Sequence, residues 1–185
     1  MNNSDTQQKK LNVGCGHDIR PGWVNLDISS LPGVDVVHNI EELPLPFEDD
    51  TFDEVACQDV LEHVDYIPLL KELHRIMKKG AVIHIRVPHF TSRNNYIDPT
   101  HKRMFSSRTF DYFVTNSFLN RGYYFDFSYT QIVRNRITFV KNYLYIYNYL
   151  VEPLINLKNS SKDIYEETFF CRLFPAYNIE ITLIK

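Results

Sequence analysis

Short apolar segments separated by polar turns predict a series of β-strands along this chain. Each segment is a short apolar or alternating run bounded by Gly, Pro, Asn or Asp, which is typical of strands in a largely buried sheet. The five predicted strands of the first half are Leu11–Val13, Trp23–Ile28, Val34–Ile40, Phe52–Cys57 and Ala81–Val87. Two later strands are predicted at Ile132–Val140 and Tyr177–Ile184, the second with strict alternation of Ile179, Ile181 and Leu183.

Apolar residues at helical spacing predict a crossover helix over 59–79. Lys78 and Lys79 suit the negative end of its dipole, and Gly80 suits its C-terminal cap. A second helix is predicted near Ser107–Phe118, and a third over Asn142–Lys158 with an interruption near Pro153. The apolar side of this third segment predicts packing against the core or against a second copy of the chain.

Strands alternating with a crossover helix predict an α/β fold with a mostly parallel sheet. We expect a compact, three-layer α/β/α domain with shortened early helices. We predict that residues 1–10 form a disordered polar lead and that residues 11–185 form a single domain. Within this domain, residues 88–130 are predicted to form an aromatic-rich insertion after the fifth strand.

Length and charge narrow the functional classes. At 185 residues the chain suits one domain, and its net charge of −3 gives no electrostatic reason to expect nucleic acid as a partner. The polar N-terminus predicts no signal peptide, and no apolar run predicts a membrane span. Three cysteines without paired spacing predict neither disulfides nor a zinc site, which favours a reducing cytoplasm.

The first candidate site is a glycine turn between two strands. Gly14-Cys15-Gly16 follows the first strand, and Asp27 lies near the end of the second. Glycines let the backbone approach a ligand closely, and a carboxylate in this position accepts hydrogen bonds from both ribose hydroxyls. Each piece alone could be an ordinary turn or strand end, but together they predict a nucleoside-binding site.

The ordered set of motifs resembles the type 11 group of class I S-adenosylmethionine-dependent methyltransferases. The matching segments are LNVGCG at 11–16, GWVNLD at 22–27, LPLPF at 43–47, FDEV at 52–55, VLEHV at 60–64 and KKG at 78–80. This resemblance implies S-adenosylmethionine as the cofactor, bound by Gly14, Cys15, Gly16, Asp27, Ile28, Asn39 and Ile40. Together with the alternation of Tyr177–Ile184, it also implies a Rossmann-like sheet whose terminal strand runs antiparallel beside the fifth strand. Three features depart from the family: Asn12 replaces an acid, the third glycine is missing, and the link between the first two strands is short.

Histidines near the carboxyl ends of the strands are the candidate acceptor-side groups, because imidazole is the best general base near neutral pH. His63, His89 and His101 are the candidate catalytic residues, with Tyr96, Asp98 and Arg103 as candidate substrate contacts. Each could instead cap or stabilise a loop. His89, Asp98 and His101 could also suggest a metal triad, but methyl transfer requires no metal and we predict none.

The predicted activity is transfer of a methyl group from S-adenosylmethionine to a small or carrier-linked acceptor. Asp98-Pro99-Thr100-His101 resembles methyltransferases of bacterial or archaeal surface-polysaccharide pathways, which implies a sugar or glycan hydroxyl as acceptor. The alternative is a non-catalytic interaction module of the same fold. An NAD-dependent dehydrogenase is disfavoured because the third glycine of its fingerprint is missing. A homodimer is possible.

Overall fold

Seven strands and five α-helices make up the described part of the computed structural model, which covers residues 8–119 and 121–185. The strands are β1 Lys10–Val13, β2 Val24–Asp27, β3 Val36–Val37, β4 Phe52–Gln58, β5 Met77–Pro88, β6 Gln131–Ile137 and β7 Asn178–Ile184. The α-helices are α1 Tyr66–Ile76, α2 Asn94–Ile97, α3 Asn148–Ile155, α4 Asn159–Glu167 and α5 Phe170–Leu173. Short 3-10 helices cover Thr109–Phe113, Gly122–Tyr124 and Tyr143–Tyr145.

All seven strands form one sheet in the order β3-β2-β1-β4-β5-β7-β6. Strands β1 to β5 pair in parallel, whereas β7 runs antiparallel to both β5 and β6. Ile83 lies opposite Leu183 and Val87 opposite Ile179, so β7 is inserted beside the fifth strand. The predicted α/β fold with an antiparallel C-terminal strand is confirmed.

One face of the sheet forms the main core because its strands alternate. Ile83, Ile85 and Val87 of β5 are buried on this face, and the apolar side of α1 packs in the same cluster through Leu69 and Leu73. The carboxyl ends of β1, β2 and β4 meet at one edge of this core. Loops that leave this edge therefore lie close together in space.

The opposite face of the central strands carries charged side chains that pair across the sheet. Glu54 of β4 contacts both Lys10 of β1 and His84 of β5, and Arg134 of β6 pairs with Glu180 of β7. The links between β1, β2, β3 and β4, where we predicted shortened helices, contain no helix. The first two links span only 14–23 and 28–35, fewer than the dozen or more residues that a crossover normally needs. The third, 38–51, is longer but contains Pro44 and Pro46, which disfavour a helix.

The predicted crossover helix is shorter than its apolar spacing indicates. Helix α1 covers Tyr66–Ile76, whereas residues 59–65 form a turn and 77–80 belong to β5. Gly80 is therefore not the helix cap: it lies within β5 with φ of +80°. The third strand covers only Val36–Val37, which is shorter than predicted. The polar lead also ends before residue 10, because Lys10 already pairs with β4 as part of β1. Residues 1–7 of the predicted lead lie outside the described residues.

Two predicted helices of the second half also differ from the structure. The segment near Ser107–Phe118 forms only the 3-10 helix Thr109–Phe113. Asn142–Lys158 divides into a 3-10 turn and α3, with Pro153 inside the helix. Helices α4 and α5 are additions that the sequence analysis missed.

The apolar face predicted for this region, formed by Leu144, Tyr147, Val151, Leu154 and Ile155, packs only in part. Val151 and Ile155 pack against a second hydrophobic cluster, whereas Leu144 and Leu154 are each more than 60% exposed. The homodimer stays a prediction, since a single chain is described. Within the described ranges, no helix has both the length and the apolar character needed to cross a bilayer.

Candidate active site

The turn after β1 is built so that a side chain at its first glycine is sterically excluded. Gly14 has φ of +63°, and a Cβ added there would lie 2.5 Å from Cγ2 of Val60. Gly16 also has a positive φ, +48°, but open space around the position of its Cβ. Asn12 stabilises the turn, because its side-chain amide donates a hydrogen bond to the Asp18 carbonyl oxygen at 2.7 Å. Asn12 therefore has a structural role in this chain.

Asp27 ends β2 beside this turn and connects the two loops. Its Oδ2 accepts the backbone N–H of Gly16 at 2.8 Å, and its Oδ1 accepts the N–H of Ser29 at 2.9 Å. The carboxylate is half-buried, so each oxygen keeps a lone pair for a ligand from the cleft. These two hydrogen bonds fix the direction of the carboxylate before any ligand arrives.

A cleft of about 290 Å³, here called the glycine pocket, lies above the turn. Its lining includes five of the predicted cofactor residues, Gly14, Asp27, Ile28, Asn39 and Ile40, together with Val60 and His63. Cys15 and Gly16 do not line it: Cys15 is buried beneath the turn, and Gly16 acts through its N–H on Asp27. A close glycine approach, a ribose-binding carboxylate and flanking isoleucines fit the nucleoside and amino-acid parts of S-adenosylmethionine.

A second cleft of about 400 Å³, here called the histidine pocket, adjoins the first. Both pockets are lined by Asp59 and His63, so these two residues form the boundary between them. The remaining lining residues are mostly polar and come from four separate segments: Glu62, Arg86, Pro88, Asn94, Ile97, Asp98, His101, Tyr177 and Asn178. A reaction between two ligands is possible where the pockets meet.

Asp59 and Arg86 form an ion pair in the wall of the histidine pocket. Nε of Arg86 donates to both carboxylate oxygens of Asp59, at 3.1 and 3.0 Å, and its Nη2 donates to Oδ2. Asp59 adopts a left-handed backbone with φ of +56°, which is uncommon for a residue with a side chain. Its N–H donates to the Arg86 carbonyl oxygen at 2.8 Å, and this contact holds the unusual conformation in place.

Glu62 is the most buried acid at this boundary. Its side chain is 1% exposed, and its Oε2 has no hydrogen-bond partner among the described residues. Burial raises the pKa of the Glu62 carboxyl to about 7, because the charged form loses hydration. Its carbonyl oxygen accepts the backbone N–H of Lys102 at 2.7 Å, which ties the segment after β5 to the turn after β4.

His63 and His101 lie edge to face, with ring centroids 4.6 Å apart. Nδ1 of His63 is 2.8 Å from Oγ1 of Thr100, and this hydroxyl donates its own proton to Oδ1 of Asp98 at 2.6 Å. Nδ1 of His63 must therefore be the donor, which leaves the lone pair on Nε2. Burial, with His101 close by, lowers the pKa of His63 and favours this neutral form.

His89 does not belong to this cluster, contrary to the sequence prediction. Its side chain is fully buried, and its two ring nitrogens contact Thr91 Oγ1 at 2.8 Å and Glu166 Oε1 at 3.1 Å. It follows the last residue of β5, so its side chain enters the core next to α4. His89 therefore has no free nitrogen for a ligand.

Two of the three predicted substrate contacts also lie elsewhere. Tyr96 is 69% exposed outside the lining of the histidine pocket. Arg103 faces Asp65 at 3.8 Å on the surface and does not line the pocket. Asp98 lines the pocket as predicted, through the turn that also places Thr100 and His101.

The sequence analysis missed several residues of the histidine pocket. The sequence shows Glu62 as an acid next to a histidine at the carboxyl edge of β4, but it does not predict that this acid is buried. Arg86 lies at an alternating position of β5 that predicts only an exposed side chain. Tyr177 and Asn178 reach the pocket because β7 pairs beside β5, which places Asn178 opposite Pro88.

Comparison with known proteins finds similarity in the first half of the chain. Residues 9–85 match the family model described as a methyltransferase domain. An uncharacterized protein of Methanocaldococcus jannaschii is 57% identical over 42 residues, 22% of this chain and 19% of that protein. A demethylmenaquinone methyltransferase of Lysinibacillus sphaericus is 39% identical over 57 residues, 30% of this chain and 24% of that enzyme. These matches span a quarter or less of the curated relatives' lengths.

Solved structures share the fold over nearly the whole chain. A SAM-dependent methyltransferase from Archaeoglobus fulgidus superposes with a TM-score of 0.61 at 22% identity, covering 97% of this chain and 87% of the other. The YcgJ protein from Bacillus subtilis gives a TM-score of 0.55 at 17% identity, covering 97% and 92%. At these identities the similarity establishes the fold.

Proposed function

We propose that this chain is a class I S-adenosylmethionine-dependent methyltransferase of the type 11 group that methylates an acceptor held in the histidine pocket, since residues 9–85 match a methyltransferase domain. The observation that best supports this proposal is that the two pockets share Asp59 and His63. Methyl transfer is an in-line displacement, so donor and acceptor must meet across one boundary at close range. The glycine pocket takes the donor, and the adjoining pocket takes the acceptor.

The cofactor supplies a methyl group activated on a positively charged sulfur. The chain's own residues position and shield the reactants. Gly14 leaves room for the backbone to approach the donor, and Asp27 is oriented to accept the ribose hydroxyls. Asp98 and His101, in the turn after α2, line the acceptor side, which we assign to the insertion at 88–130.

The acceptor is proposed to be polar, with a sugar or glycan hydroxyl as the leading class. Charged and amide side chains dominate the lining, among them Arg86, Asn94 and Asp98. The side-chain oxygen of Asn178 is buried and has no hydrogen-bond partner among the described residues, so it is free to accept a hydrogen bond from an acceptor hydroxyl. Glu62, His63 and His101 are the groups placed to activate an acceptor oxygen. A pocket of this polarity suits a sugar better than the quinone ring named for the relative from Lysinibacillus.

A labelled-methyl assay tests this proposal. The protein is incubated with S-adenosylmethionine carrying a labelled methyl group and with sugars, nucleotide sugars or demethylmenaquinone. We expect label in a sugar-containing acceptor and none with the Asp27→Ala variant. Label in demethylmenaquinone would contradict the acceptor class. Cofactor binding without transfer to any cell-extract fraction would favour the non-catalytic module.

We also propose that the chain acts in the cytoplasm. Cys15, Cys57 and Cys171 are all unpaired and buried, which suits a reducing compartment.

A further inference from the structure

Three metal-binding side chains converge where the two pockets meet. Glu62, His63 and His101 each offer one ligand atom, and these atoms all lie within 4.8 Å of one another. A carboxylate with two imidazoles is the donor set of several catalytic metal sites. The triad considered from the sequence, His89, Asp98 and His101, is a different one, and it is ruled out because both ring nitrogens of His89 contact other side chains.

We propose that Glu62, His63 and His101 bind a divalent transition-metal ion of the Zn²⁺ type at the mouth of the histidine pocket. Bonds of about 2.0–2.2 Å to a common ion would draw the three atoms closer by roughly an ångström. The proposal deepens the proposed function, since it assigns the ion to the acceptor side of that site.

Unsatisfied polar atoms support this assignment. Oε2 of Glu62 and Nδ1 of His101 are both buried and have no hydrogen-bond partner among the described residues. A buried carboxylate without a partner is costly, so such groups are usually paired or bound to a metal. A cation between Glu62 and His101 would satisfy both atoms at once.

The contacts behind His63 are those of a metal ligand. Metal-binding histidines usually donate their second ring N–H to a neighbouring oxygen, which fixes the ring and its tautomer. His63 donates through Nδ1 to Thr100, and Thr100 donates to Asp98. This chain of hydrogen bonds points the Nε2 lone pair away from the Thr100 turn and leaves it available.

The donor set also defines the class of ion and its role. Two imidazole nitrogens favour Zn²⁺, Co²⁺ or Ni²⁺ over Mg²⁺ and Ca²⁺, which prefer oxygen ligands. Three protein ligands leave at least one coordination position for a ligand from the histidine pocket. An acceptor hydroxyl in that position would lose its proton more readily because the ion stabilises the alkoxide.

Metal titration of the chelator-treated protein tests the proposal without cofactor or acceptor. Calorimetry with ZnCl₂ is expected to give one ion per chain, and MgCl₂ is expected to give no comparable binding. The triple variant Glu62→Gln, His63→Ala, His101→Ala should bind Zn²⁺ at least tenfold more weakly. The matched control, His84→Ala, removes a half-exposed imidazole of β5 outside both pockets and should bind as the parent does.

Wild-type protein bound to Co²⁺ provides a second readout that needs no variant to fold. We expect an intensified visible spectrum that ZnCl₂ abolishes, as for a site of low coordination number. A spectrum identical to that of aqueous Co²⁺, or equal Zn²⁺ affinity in the folded triple variant, would overturn the metal site. Titration with S-adenosylmethionine in the absence of metal is measured alongside. Its failure would count against the proposed function, whereas metal binding is scored independently.

Discussion

Oδ2 of Asp27 accepts the backbone N–H of Gly16 at 2.8 Å. This bond joins the end of β2 to the turn after β1, so the carboxylate and the glycine turn are positioned together. Replacing Asp27 therefore changes both a ligand contact and the turn beneath the ligand.

We expect Asp27→Ala to weaken S-adenosylhomocysteine binding by about 1.5–3 kcal/mol, the range for hydrogen bonds to a charged group. Calorimetry measures the change. Asp126→Asn is the control, because Asp126 is exposed and pairs only with Lys71 on the surface. Unchanged affinity in a folded Asp27→Ala variant would remove this residue from the site.

Gly14→Ala should lower the free energy of unfolding and weaken cofactor binding, since the added Cβ would lie 2.5 Å from Cγ2 of Val60. Gly22→Ala shares the positive φ but meets no atom within 4 Å, so it should cost only about 1–2 kcal/mol of stability. The double variant Gly14→Ala, Val60→Ala should recover part of the lost stability, because the nearest remaining Val60 atom, Cβ, lies at 3.6 Å. Denaturant unfolding of the set checks the cycle, and additive effects would contradict the clash.

Glu72→Gln should destabilise the fold by about 1.5–3 kcal/mol at neutral pH. This buried carboxylate accepts the Leu45 N–H at 2.7 Å and two hydrogen bonds from Arg75, and so holds the proline-rich loop against α1. The Arg75 guanidinium holds the pKa of Glu72 below its usual value. The stabilisation is therefore present above the unfolded pKa of about 4.3 and is lost as the pH falls through the lower folded pKa.

Denaturant unfolding at several pH values measures this difference. Lys71→Ala is the matched control, since its exposed pair with Asp126 should contribute little. A loss of stability that is equal in both variants, or one that persists unchanged in strong acid, would contradict the role given to Glu72.

His89→Ala and His101→Ala should have opposite phenotypes. His89 is buried against Glu166 and Thr91, so its removal should lower the free energy of unfolding by about 2–3 kcal/mol. His101 lines the histidine pocket, so its removal should lower turnover with little change in cofactor affinity. Thermal unfolding and the labelled-methyl assay separate the two. A stable His89→Ala protein with impaired turnover would restore His89 to the site.

The cofactor side was largely predictable from the sequence, whereas the acceptor side was not. Gly14, Asp27, Ile28 and Asn39 lie on short local segments whose order along the chain predicts their meeting at one edge of the sheet. The acceptor pocket depends instead on contacts distant in sequence. Lys102 bonds to the Glu62 carbonyl oxygen and thereby brings His101 to His63.

His89 shows the limit of reasoning from position alone. It follows β5 at the ligand edge, where a histidine is a natural candidate base. Its side chain instead turns toward Glu166 of α4, a helix that the sequence analysis did not predict. The sequence analysis extended α1 too far for a similar reason. Met77 suits a strand as well as a helix end, and its pairing with Phe52 of β4 decides between them.

The central claim, that the glycine pocket binds S-adenosylmethionine, is tested most directly by calorimetry of the wild-type protein. S-adenosylmethionine, S-adenosylhomocysteine and NAD are titrated separately into the same preparation. The account predicts one site per chain for the first two, no binding of NAD, and weakened binding of both cofactor forms in Asp27→Ala. Binding of NAD, or no heat with either sulfur compound in a folded protein, would contradict it.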